Sequence, residues 1–596
     1  MTFSGGEISK YAYRVSKINP DLPADWSEYE YLVLEFRASS SQRFELGLRN
    51  PQGYLFKRIH PYAGALVRFA VPLDFYRAQP SRGNDMAATW NQPRTMGFIN
   101  VEQGGFGPVG IIDSIMFRMI APIGNPTLEI KSVSLSVKDP GDSLLSPAKL
   151  VDQFGQWKSE EWEGKAHSLE ELKTDWELED KSLFPGDFNY GKFGGYLNTN
   201  VRSTGFFRLE KIDGRWWFVD PEGHLFLSTS ANGIGSTSSG TPARQRDYIF
   251  DTLPPQQNTG GMARFRSINF LGWNLQRRYG EGWRDSVNRM TERRMEAWGF
   301  TTGSQALQKP YIAYFRPAGT GPEIMGIPDV WSKEFAESIE LRAREQLLPQ
   351  KDNPLIIGYF IGNEPPWPGR ESLAVASILE GPSTETRKAL MEFLKGANNH
   401  DRKVEFCKIT FKKYLDIVTG AIRKYDPNHL ILGIRFGGTP PDYIIEMAKV
   451  FDVYSLNTYA YKPDPAYLDK IHSLTGLPVL IGEYHFGTPG RGMAAGLCQV
   501  KDQYNRGVAY RYYTENAFSH PVVIGAHWFQ WNDQPNTGRN DGENYNIGIV
   551  DITDRPYKEL VEAIIETHKN IYKIHLATRL PSEVLPEGRT MIDFKY

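Results

Sequence analysis

The sequence predicts an α/β protein in which a (β/α)₈ TIM barrel follows an N-terminal β-sandwich. Three observations lead to this prediction. Strand patterns without a convincing helix fill residues 1–138, strand and helix patterns alternate from residue 205 onward, and this second part holds eight apolar strands. Eight is the number of strands at which a parallel sheet covered by helices closes into a barrel. The 596 residues leave room for one barrel of about 250 residues or more with appended parts.

The first part, residues 1–138, contains short segments in which apolar and polar residues alternate. Such alternation is typical of strands with one buried face, and antiparallel strands of this kind form β-sandwiches. The predicted strands include residues 31–37, 43–49, 66–71, 115–120 and 128–136. A module like this resembles a carbohydrate-binding module, yet it can equally serve only to support its neighbour. Both alternatives stay open.

Residues 139–204 form the predicted linker, which is polar and acidic and contains short helices. Pro140-Gly141-Asp142 marks its beginning. Ser168, followed by a run of Leu, Glu and Lys, is typical of a helix N-terminus. The acidic runs of this segment are expected to form a solvated face.

Residues 205–596 are predicted to form the catalytic barrel. Its eight strands are predicted at residues 225–230, 301–304, 312–315, 355–361, 430–434, 453–456, 479–482 and 522–526. The amphipathic segments between them predict helices at residues 333–348, 404–425, 443–450 and 493–517.

Composition and charge exclude several classes of protein. With 68 Lys and Arg against 70 Asp and Glu the net charge is −2, so there is no electrostatic reason to expect nucleic acid as a partner. No apolar run approaches the roughly 18 residues of a membrane span, and the first residues lack a signal-peptide pattern. Cys407 and Cys498 are the only cysteines and are predicted on different helices, which excludes a disulfide framework.

Catalytic residues of a barrel lie where strands end and loops begin, so polar residues directly after the apolar strands are the candidates. Asn363-Glu364 follows the fourth strand and Glu483 follows the seventh. Cleavage of a glycosidic bond needs two carboxyl groups across a cavity, because one protonates the leaving oxygen while the other attacks the sugar or activates water. A single strand-end glutamate is commonly only a salt-bridge partner or a cap, and it is the pair that favours catalysis.

This pair resembles the signature of the clan A retaining glycoside hydrolases, and the chain most resembles glycoside hydrolase family 50, the β-agarases. The stretches that carry the resemblance are residues 213–224, 352–364, 527–535 and 541–548. It extends over about residues 200–575, and the order of a sandwich before a barrel is also similar. Pro365-Pro366 departs from the agarase pattern and changes the loop beside the leaving-group site.

The resemblance implies that Glu483 is the nucleophile, Glu364 the general acid/base and Asn363 the partner of the sugar 2-hydroxyl. An ionised nucleophile needs donors or positive charge nearby, and a protonated acid needs a less polar setting. The candidates for these surroundings are Arg435, Tyr459 and His485 beside Glu483, and Trp367 beside Glu364. Each of them has an alternative interpretation as a packing or ion-pair residue.

Trp528, at the end of the eighth strand, is the predicted sugar-stacking platform, because an indole face matches the C–H face of a pyranose. The alternative is a core aromatic residue. The other predicted substrate-binding residues are Asn232, Gln305, Asn457, Gln530, Trp531, Asp533, Asn536 and Glu543.

No nucleotide-binding or zinc motif is present and the histidines lack ligand spacing, so no metal or cofactor is expected. The oxygen ligands of a structural calcium ion leave little trace in a sequence, and that question stays open. The predicted function is a retaining glycoside hydrolase that cleaves β-linked, galactose-containing poly- or oligosaccharides as a β-agarase does. The alternatives are a β-galactosidase, β-glucosidase or β-galactofuranosidase, or a carbohydrate-binding protein without catalysis. A polysaccharide substrate implies a secreted or periplasmic location.

Overall fold

The N-terminal part of the chain forms two antiparallel sheets. The computed structural model describes residues 1–6, 8–77, 100–104, 107–242, 247–255, 267–317, 319, 321–539 and 542–591, so Asp541 of the stretch 541–548 lies outside the described residues. The strands are β1 (Ile8–Arg14), β2 (Tyr31–Ala38), β3 (Phe44–Asn50), β4 (Gly53–His60), β5 (Leu66–Pro72), β6 (Asn100–Gly104), β7 (Ser114–Ile120), β8 (Leu128–Ser136) and β9 (Ser143–Leu144). Two short helices accompany them, α1 (Val15–Ile18) and α2 (Asp74–Arg77). The strand order is β1-β7-β3-β4-β6 in one sheet and β8-β2-β5-β9 in the other.

The two sheets share one apolar cluster. Leu32, Leu34 and Phe36 on β2 and Leu46 and Leu48 on β3 belong to it and are fully buried. Within each strand these residues stand two positions apart, as they must to face the same side. Each contributes about 1.5–3 kcal/mol by its burial. The alternation that predicted the strands therefore also identifies the residues that hold the two sheets together.

The helix α3 (Leu169–Ser182) lies in the predicted linker. The side chain of Ser168 caps it by accepting a hydrogen bond from the backbone N–H of Glu171, which confirms the predicted helix start. On its buried face, the indole Nε1 of Trp176 donates to the backbone oxygen of Thr553 at 2.9 Å. The helix is thereby attached to the C-terminal part of the chain.

Strands and helices alternate in the C-terminal part. Its strands are β10 (Arg208–Ile212), β11 (Arg215–Val219), β12 (Leu225–Phe226), β13 (Ser228–Ala231), β14 (Thr241–Pro242), β15 (Ser267–Ile268), β16 (Tyr311–Tyr314), β17 (Ile356–Phe360), β18 (Leu430–Gly433), β19 (Phe436–Gly437), β20 (Tyr454–Asn457), β21 (Val479–Tyr484), β22 (Cys498–Gln499), β23 (Val523–Trp528) and β24 (Thr590–Met591). Its helices are α4 (Phe270–Tyr279), α5 (Trp283–Trp298), α6 (Lys333–Gln346), α7 (Glu371–Glu380), α8 (Glu385–Phe393), α9 (His400–Tyr425), α10 (Asp442–Met447), α11 (Pro465–Thr475), α12 (Gln503–Ser519), α13 (Lys558–His568) and α14 (Ile571–His575). None of the described helices combines the length and the apolar composition that crossing a membrane needs.

Most strands predicted for the barrel pair in parallel, in a five-stranded sheet of order β13-β23-β21-β20-β19 and a three-stranded sheet of order β16-β17-β18. The strand predicted at residues 225–230 is divided between β12, which is antiparallel to β11, and β13. Residues 301–304 belong to neither sheet, and Gly303 makes an isolated parallel bridge to Tyr311 instead. Within the described residues the two parallel sheets do not join into one closed sheet. The structure therefore has a mixed α/β fold with several sheets.

The helix predicted at residues 493–517 begins at Gln503, where Asp502 caps it. Gly496 has a φ value of 78°, which glycine tolerates but a right-handed helix does not contain. The prediction that Cys498 lies on a helix is therefore wrong, and this residue lies on β22, which pairs with β24.

A buried ion cluster joins α3, α5 and the segment before α13. The guanidinium of Arg294, whose side chain is 2% exposed, donates to both carboxylate oxygens of Glu179 at 2.8 Å and to Oδ1 of Asp554 at 2.7 Å. Arg278 forms ion pairs with the same two carboxylates. The charges of this cluster satisfy one another away from water.

We expect Arg294→Met to lower the free energy of unfolding by about 3 kcal/mol, because breaking a buried ion pair leaves an uncompensated charge. This is the lower end of the usual range, since Arg278 remains in place. Lys333→Met is the control, because its ion pair with Glu337 is exposed and exposed pairs contribute little to the free energy of unfolding. Urea unfolding followed by circular dichroism compares the two variants, and equal effects would contradict the prediction.

Candidate functional site

Four parallel strands bring distant polar residues to one cleft. Glu364 follows β17, Arg435 follows β18, Asn457 ends β20 and Glu483 lies on β21. These strands belong to the two parallel sheets, and their carboxyl ends meet at this cleft. The cleft has a volume of about 920 Å³, and both glutamates lie in its wall.

The carboxylate of Glu483 is bound by a cation and by a hydroxyl group. Nη2 of Arg435 forms an ion pair with Oε1, and the hydroxyl of Tyr459 donates to Oε2 at 2.5 Å. Burial, followed by the charge of Glu483, raises the pKa of Tyr459 well above its usual value. The phenol therefore stays a donor, and both partners favour negative charge on Glu483.

Glu364 has the opposite surroundings. Burial of its side chain, followed by repulsion from Glu483, raises the pKa of Glu364 to about 7. Nδ2 of Asn457 donates to Oε1 of Glu364 at 2.7 Å, and this bond, together with the charge of Arg435, opposes the shift without cancelling it. Near neutral pH this carboxyl group is thus divided between its protonated and ionised forms.

The backbone is strained at the two strand ends that carry this arrangement. Glu364 and Arg435 have φ values of 45° and 57°, in the left-handed region that costs a non-glycine residue about 1–2 kcal/mol. The N–H of Glu364 donates to the backbone oxygen of Arg435 at 3.2 Å. Gly437 permits the close approach, because a Cβ there would lie 3.1 Å from the side chain of Glu364.

A second cavity, of about 670 Å³, also has Asn363 in its wall. Pro365, Pro366 and Trp367 line this cavity rather than the cleft. The indole of Trp367 packs edge-on against Phe411, with ring centroids 5.3 Å apart. Trp367 therefore contributes to the wall of this second cavity.

The structure brings several of the predicted residues together. Those lining the cleft are Asn363, Glu364, Asn457, Tyr459, Glu483 and Glu543. Arg435 is buried and reaches this group through Glu483. The cleft thus presents carboxyl, amide and phenol groups. Among the described residues, no group of three or more His, Cys, Asp or Glu side chains could hold a metal ion.

The prediction that Trp528 is a sugar-stacking platform is wrong. Trp528 is fully buried, its Nε1 donates to the backbone oxygen of Ile547 at 2.8 Å, and its ring lies edge-on to Tyr484. Successive side chains of a strand point to opposite faces, and at this strand end it is Phe529 that faces the cleft.

Two further predicted residues lie behind the cleft wall. Trp531 is buried and packs against Trp298, with ring centroids 5.4 Å apart. His485 is buried against the ring of Tyr459, at 4.8 Å between centroids, and its Nε2 accepts a hydrogen bond from the N–H of Leu497 at 2.8 Å. Burial lowers the pKa of His485 to about 3, so this imidazole is neutral and supports Tyr459.

The remaining predicted substrate-binding residues bind the protein itself or lie outside the cleft. Backbone oxygens accept hydrogen bonds from the side chains of Asn232 (Gly482, 2.9 Å; Trp528, 3.3 Å), Gln530 (Asn532, 2.9 Å) and Asn536 (Gly155, 2.9 Å). Asp533 accepts from the hydroxyl of Tyr557 at 2.5 Å, and burial raises the pKa of Asp533 to about 6. Gln305 lies on an exposed turn.

The residues of the cleft wall that sequence reasoning missed include Phe529, Arg539 and Tyr467. The guanidinium of Arg539 lies 5.6 Å from the ring centroid of Phe529 and pairs with Glu543 at 2.6 Å. The alternation of side chains along the eighth predicted strand was the available signal for Phe529, because it places neighbouring residues on opposite faces.

Comparisons with known proteins show that the chain is similar to agarases in sequence and in structure. β-Agarase B of Vibrio sp. (strain JT0107) is 29% identical over 580 residues, covering 79% of this chain and 60% of that protein, so the chain spans about three fifths of this relative. An exo-β-agarase structure aligns with a TM-score of 0.70 and 25% identity, covering 96% of this chain and 94% of that one. The agarase AgWH50C aligns with a TM-score of 0.69 at the same identity and coverage. No protein-family model matches the chain. The predicted β-agarase-like glycoside hydrolase agrees with these likenesses.

The N-terminal module contacts the wall of the cleft. Arg43, directly before β3, donates to the backbone oxygen of Gly496. The next residue, Leu497, lines the cleft and donates its N–H to His485, whose ring packs against Tyr459. A chain of contacts thus connects the first module with the hydroxyl that binds Glu483.

We expect Arg43→Met to increase amide hydrogen exchange in residues 493–499 by about tenfold, because losing a charge-assisted hydrogen bond weakens the local structure by about 1.5 kcal/mol. Arg49→Met is the matched control, since Arg49 lies on β3 with an exposed ion pair to Asp113. Hydrogen exchange read by mass spectrometry tests the difference. An increase of the same size in both variants would rule out the proposed contact chain.

Proposed function

We propose that this chain is a β-agarase-like glycoside hydrolase that cleaves β-linked, galactose-containing poly- or oligosaccharides with retention of configuration. One observation carries the proposal: Glu364 and Glu483 share one cleft and have opposite surroundings. Burial and a neighbouring carboxylate favour the proton on Glu364, whereas a cation and a hydroxyl favour charge on Glu483. Two carboxyl groups whose surroundings favour different protonation states serve as the acid and the nucleophile of retaining glycosidases. The likeness to β-agarases supports the class of substrate.

In the first step, a carboxylate oxygen of Glu483 attacks the anomeric carbon while Glu364 gives its proton to the glycosidic oxygen. The leaving oxygen takes the electrons of the broken bond, and a covalent glycosyl-enzyme remains. Asn363 holds the sugar 2-hydroxyl, and the ring of Phe529 offers an apolar face to the sugar. In the second step, ionised Glu364 takes a proton from water, which attacks the same carbon and releases Glu483. Side chains of this chain supply every group that the two steps need.

We further propose that the parallel strands and their helices form a (β/α)₈ barrel within residues 205–596. Hydrogen bonds across both gaps between the parallel sheets support this architecture. The N–H of Thr302 donates to the backbone oxygen of Thr229 on β13 at 3.0 Å, and the N–H of Asp452 donates to the backbone oxygen of Ile431 on β18 at 2.9 Å.

Residues 1–138 would then be a β-sandwich, and residues 139–204 the linker to the barrel. The contact of Arg43 with Gly496 favours a supporting role for the sandwich. Carbohydrate binding remains the alternative role of this module. Because the proposed polysaccharide substrate lies outside the cell, we propose a secreted or periplasmic location for the protein.

Product analysis tests the substrate class most directly. We expect hydrolysis of agarose-derived oligosaccharides, followed by proton NMR, to show the β-anomer as the first product, because two displacements restore the configuration. Galactan and glucan oligosaccharides serve as the comparison, and the product lengths distinguish exo from endo action. Hydrolysis of galactan or glucan alone would overturn the agarase-like assignment, and an α-anomer would overturn retention.

Replacing each glutamate separates the two roles. We expect Glu364→Gln to lower kcat by about 10²–10⁴-fold on oligosaccharides while sparing aryl glycosides whose leaving group needs no proton. Glu483→Gln should abolish hydrolysis of both kinds of substrate, because no nucleophile remains. Circular dichroism confirms that each variant is folded. Equal losses for both variants on both substrates would contradict the assignment.

The pH dependence of kcat/KM follows from Glu364. Its pKa is about 7, so the protonated acid that the first step needs is present below this pH and is lost as the pH rises through it. We expect kcat/KM to fall on the alkaline side with a midpoint near this value. The residual activity of Glu364→Gln should lack this limb, and a limb that persists in the variant would assign the titration to another group.

A further inference from the structure

The side-chain amide of Asn457 contacts groups beside both glutamates of the cleft. Its side chain is buried at the end of β20. Nδ2 donates to Oε1 of Glu364 at 2.7 Å and to Oδ1 of Asn363 at 3.2 Å, and Oδ1 accepts from Nε of Arg435 at 3.4 Å. Arg435 in turn pairs with Glu483. One amide therefore connects the surroundings of both carboxyl groups.

Arg435 fixes the orientation of this amide. A guanidinium can only donate hydrogen bonds, so the oxygen of Asn457 must face Arg435 and its nitrogen must face Glu364 and Asn363. Both hydrogens of the nitrogen are then used, one by each of these acceptors. Since Asn363 accepts through its oxygen, its nitrogen end faces away from Asn457.

We propose that Asn457 is a positioning residue that makes Oε2 of Glu364 the oxygen that carries the exchangeable proton. The inference rests on the proposed function and deepens it. Oε1 accepts the N–H of Asn457 throughout, whereas Oε2 gives its proton to the glycosidic oxygen as the C–O bond breaks and takes one from water in the second step. A hydrogen bond to the charged form stabilises that form, so Asn457 stabilises Glu364 after the proton has left.

Several charged and titratable groups lie in or behind the cleft wall that contains Glu364 and Asn457. Those in the cleft wall are Tyr459, Asp464, Glu483, Arg539 and Glu543, and Arg435 lies behind them. Burial and Glu483 raise the pKa of Glu364, while Asn457 and Arg435 lower it. Removing the donor at position 457 therefore leaves the raising effects less opposed, and the proton is held to a higher pH.

The test compares the alkaline limb of kcat/KM in the full-length protein and its variants on agarose-derived oligosaccharides. Asn457→Leu keeps the approximate shape of the side chain without the donor, and we expect the limb to move up by about one pH unit. Asn457→Asp keeps an acceptor for Arg435 and replaces the donor with a carboxylate, so it should move the limb upward by at least as much. Two variants are used so that the test can still be read if one of them does not fold.

Asn232→Leu is the matched control, because this strand-end amide donates only to backbone oxygens among its observed contacts. We expect it to lower kcat/KM at every pH by the same factor and to leave the limb in place. The same uniform loss in both Asn457 variants would overturn the proposal, since it is what a purely structural residue would produce.

A second readout does not depend on hydrolysis. Infrared difference spectra between each protein and its Glu364→Gln form follow the protonated carboxyl band of Glu364 as the pH is raised. We expect the band to disappear about one pH unit later in Asn457→Leu than in the wild-type protein. If the wild-type protein hydrolyses none of the saccharides, the proposed function fails while this titration still decides the role of Asn457. An unshifted band would overturn that role even in an active enzyme.

Discussion

A guanidinium buried beside a carboxylate needs a partner for each of its donors, and at Arg435 this requirement arranges the cleft. Its Nη2 reaches Glu483 and the backbone oxygen of Gly482, and its Nε reaches Asn457. Breaking such a buried pair leaves an uncompensated charge, which costs several kcal/mol. The contacts of this one guanidinium bind Glu483 and set the direction of the Asn457 amide, and with it the donor offered to Glu364. The two glutamates thereby acquire different surroundings although they share a cleft.

The sequence was most informative where an apolar strand ends in a polar residue. Glu364 and Glu483 could be located because the buried strands before them are continuous apolar runs, and parallel strands end at one edge. The sequence predicts a strand at residues 301–304, whereas the structure shows one isolated bridge there, between Gly303 and Tyr311. The helix predicted from residue 493 failed because Gly496 adopts a left-handed backbone, which the surrounding helix-like composition did not reveal.

Side-chain roles at strand ends were harder to predict than strand positions. Trp528 and Phe529 are adjacent aromatic residues, and only the register of β23 decides which of them faces the cleft. Asn232 follows the same rule of position as Asn363 and Asn536 lies on the loop after the last barrel strand, yet the amides of both donate to backbone oxygens. Buried loops must pair their polar backbone groups, so polar residues near strand ends serve the fold as often as the ligand. Only the tertiary contacts distinguish a polar residue that stabilises the fold from one that binds the ligand.

At Glu364 and Arg435 the left-handed backbone lowers stability, while the side chains of the same two residues are needed for the chemistry of the cleft. Glycine at either position would relieve the steric cost of a side chain in that conformation, while removing a carboxyl or guanidinium group on which the cleft depends. Selection for a more stable chain and selection for a working cleft therefore favour different residues at the same two positions. Proteins commonly accept such local losses where function requires them. Any attempt to make this protein more robust should therefore begin in its loops and surface helices and leave these two strand ends as they are.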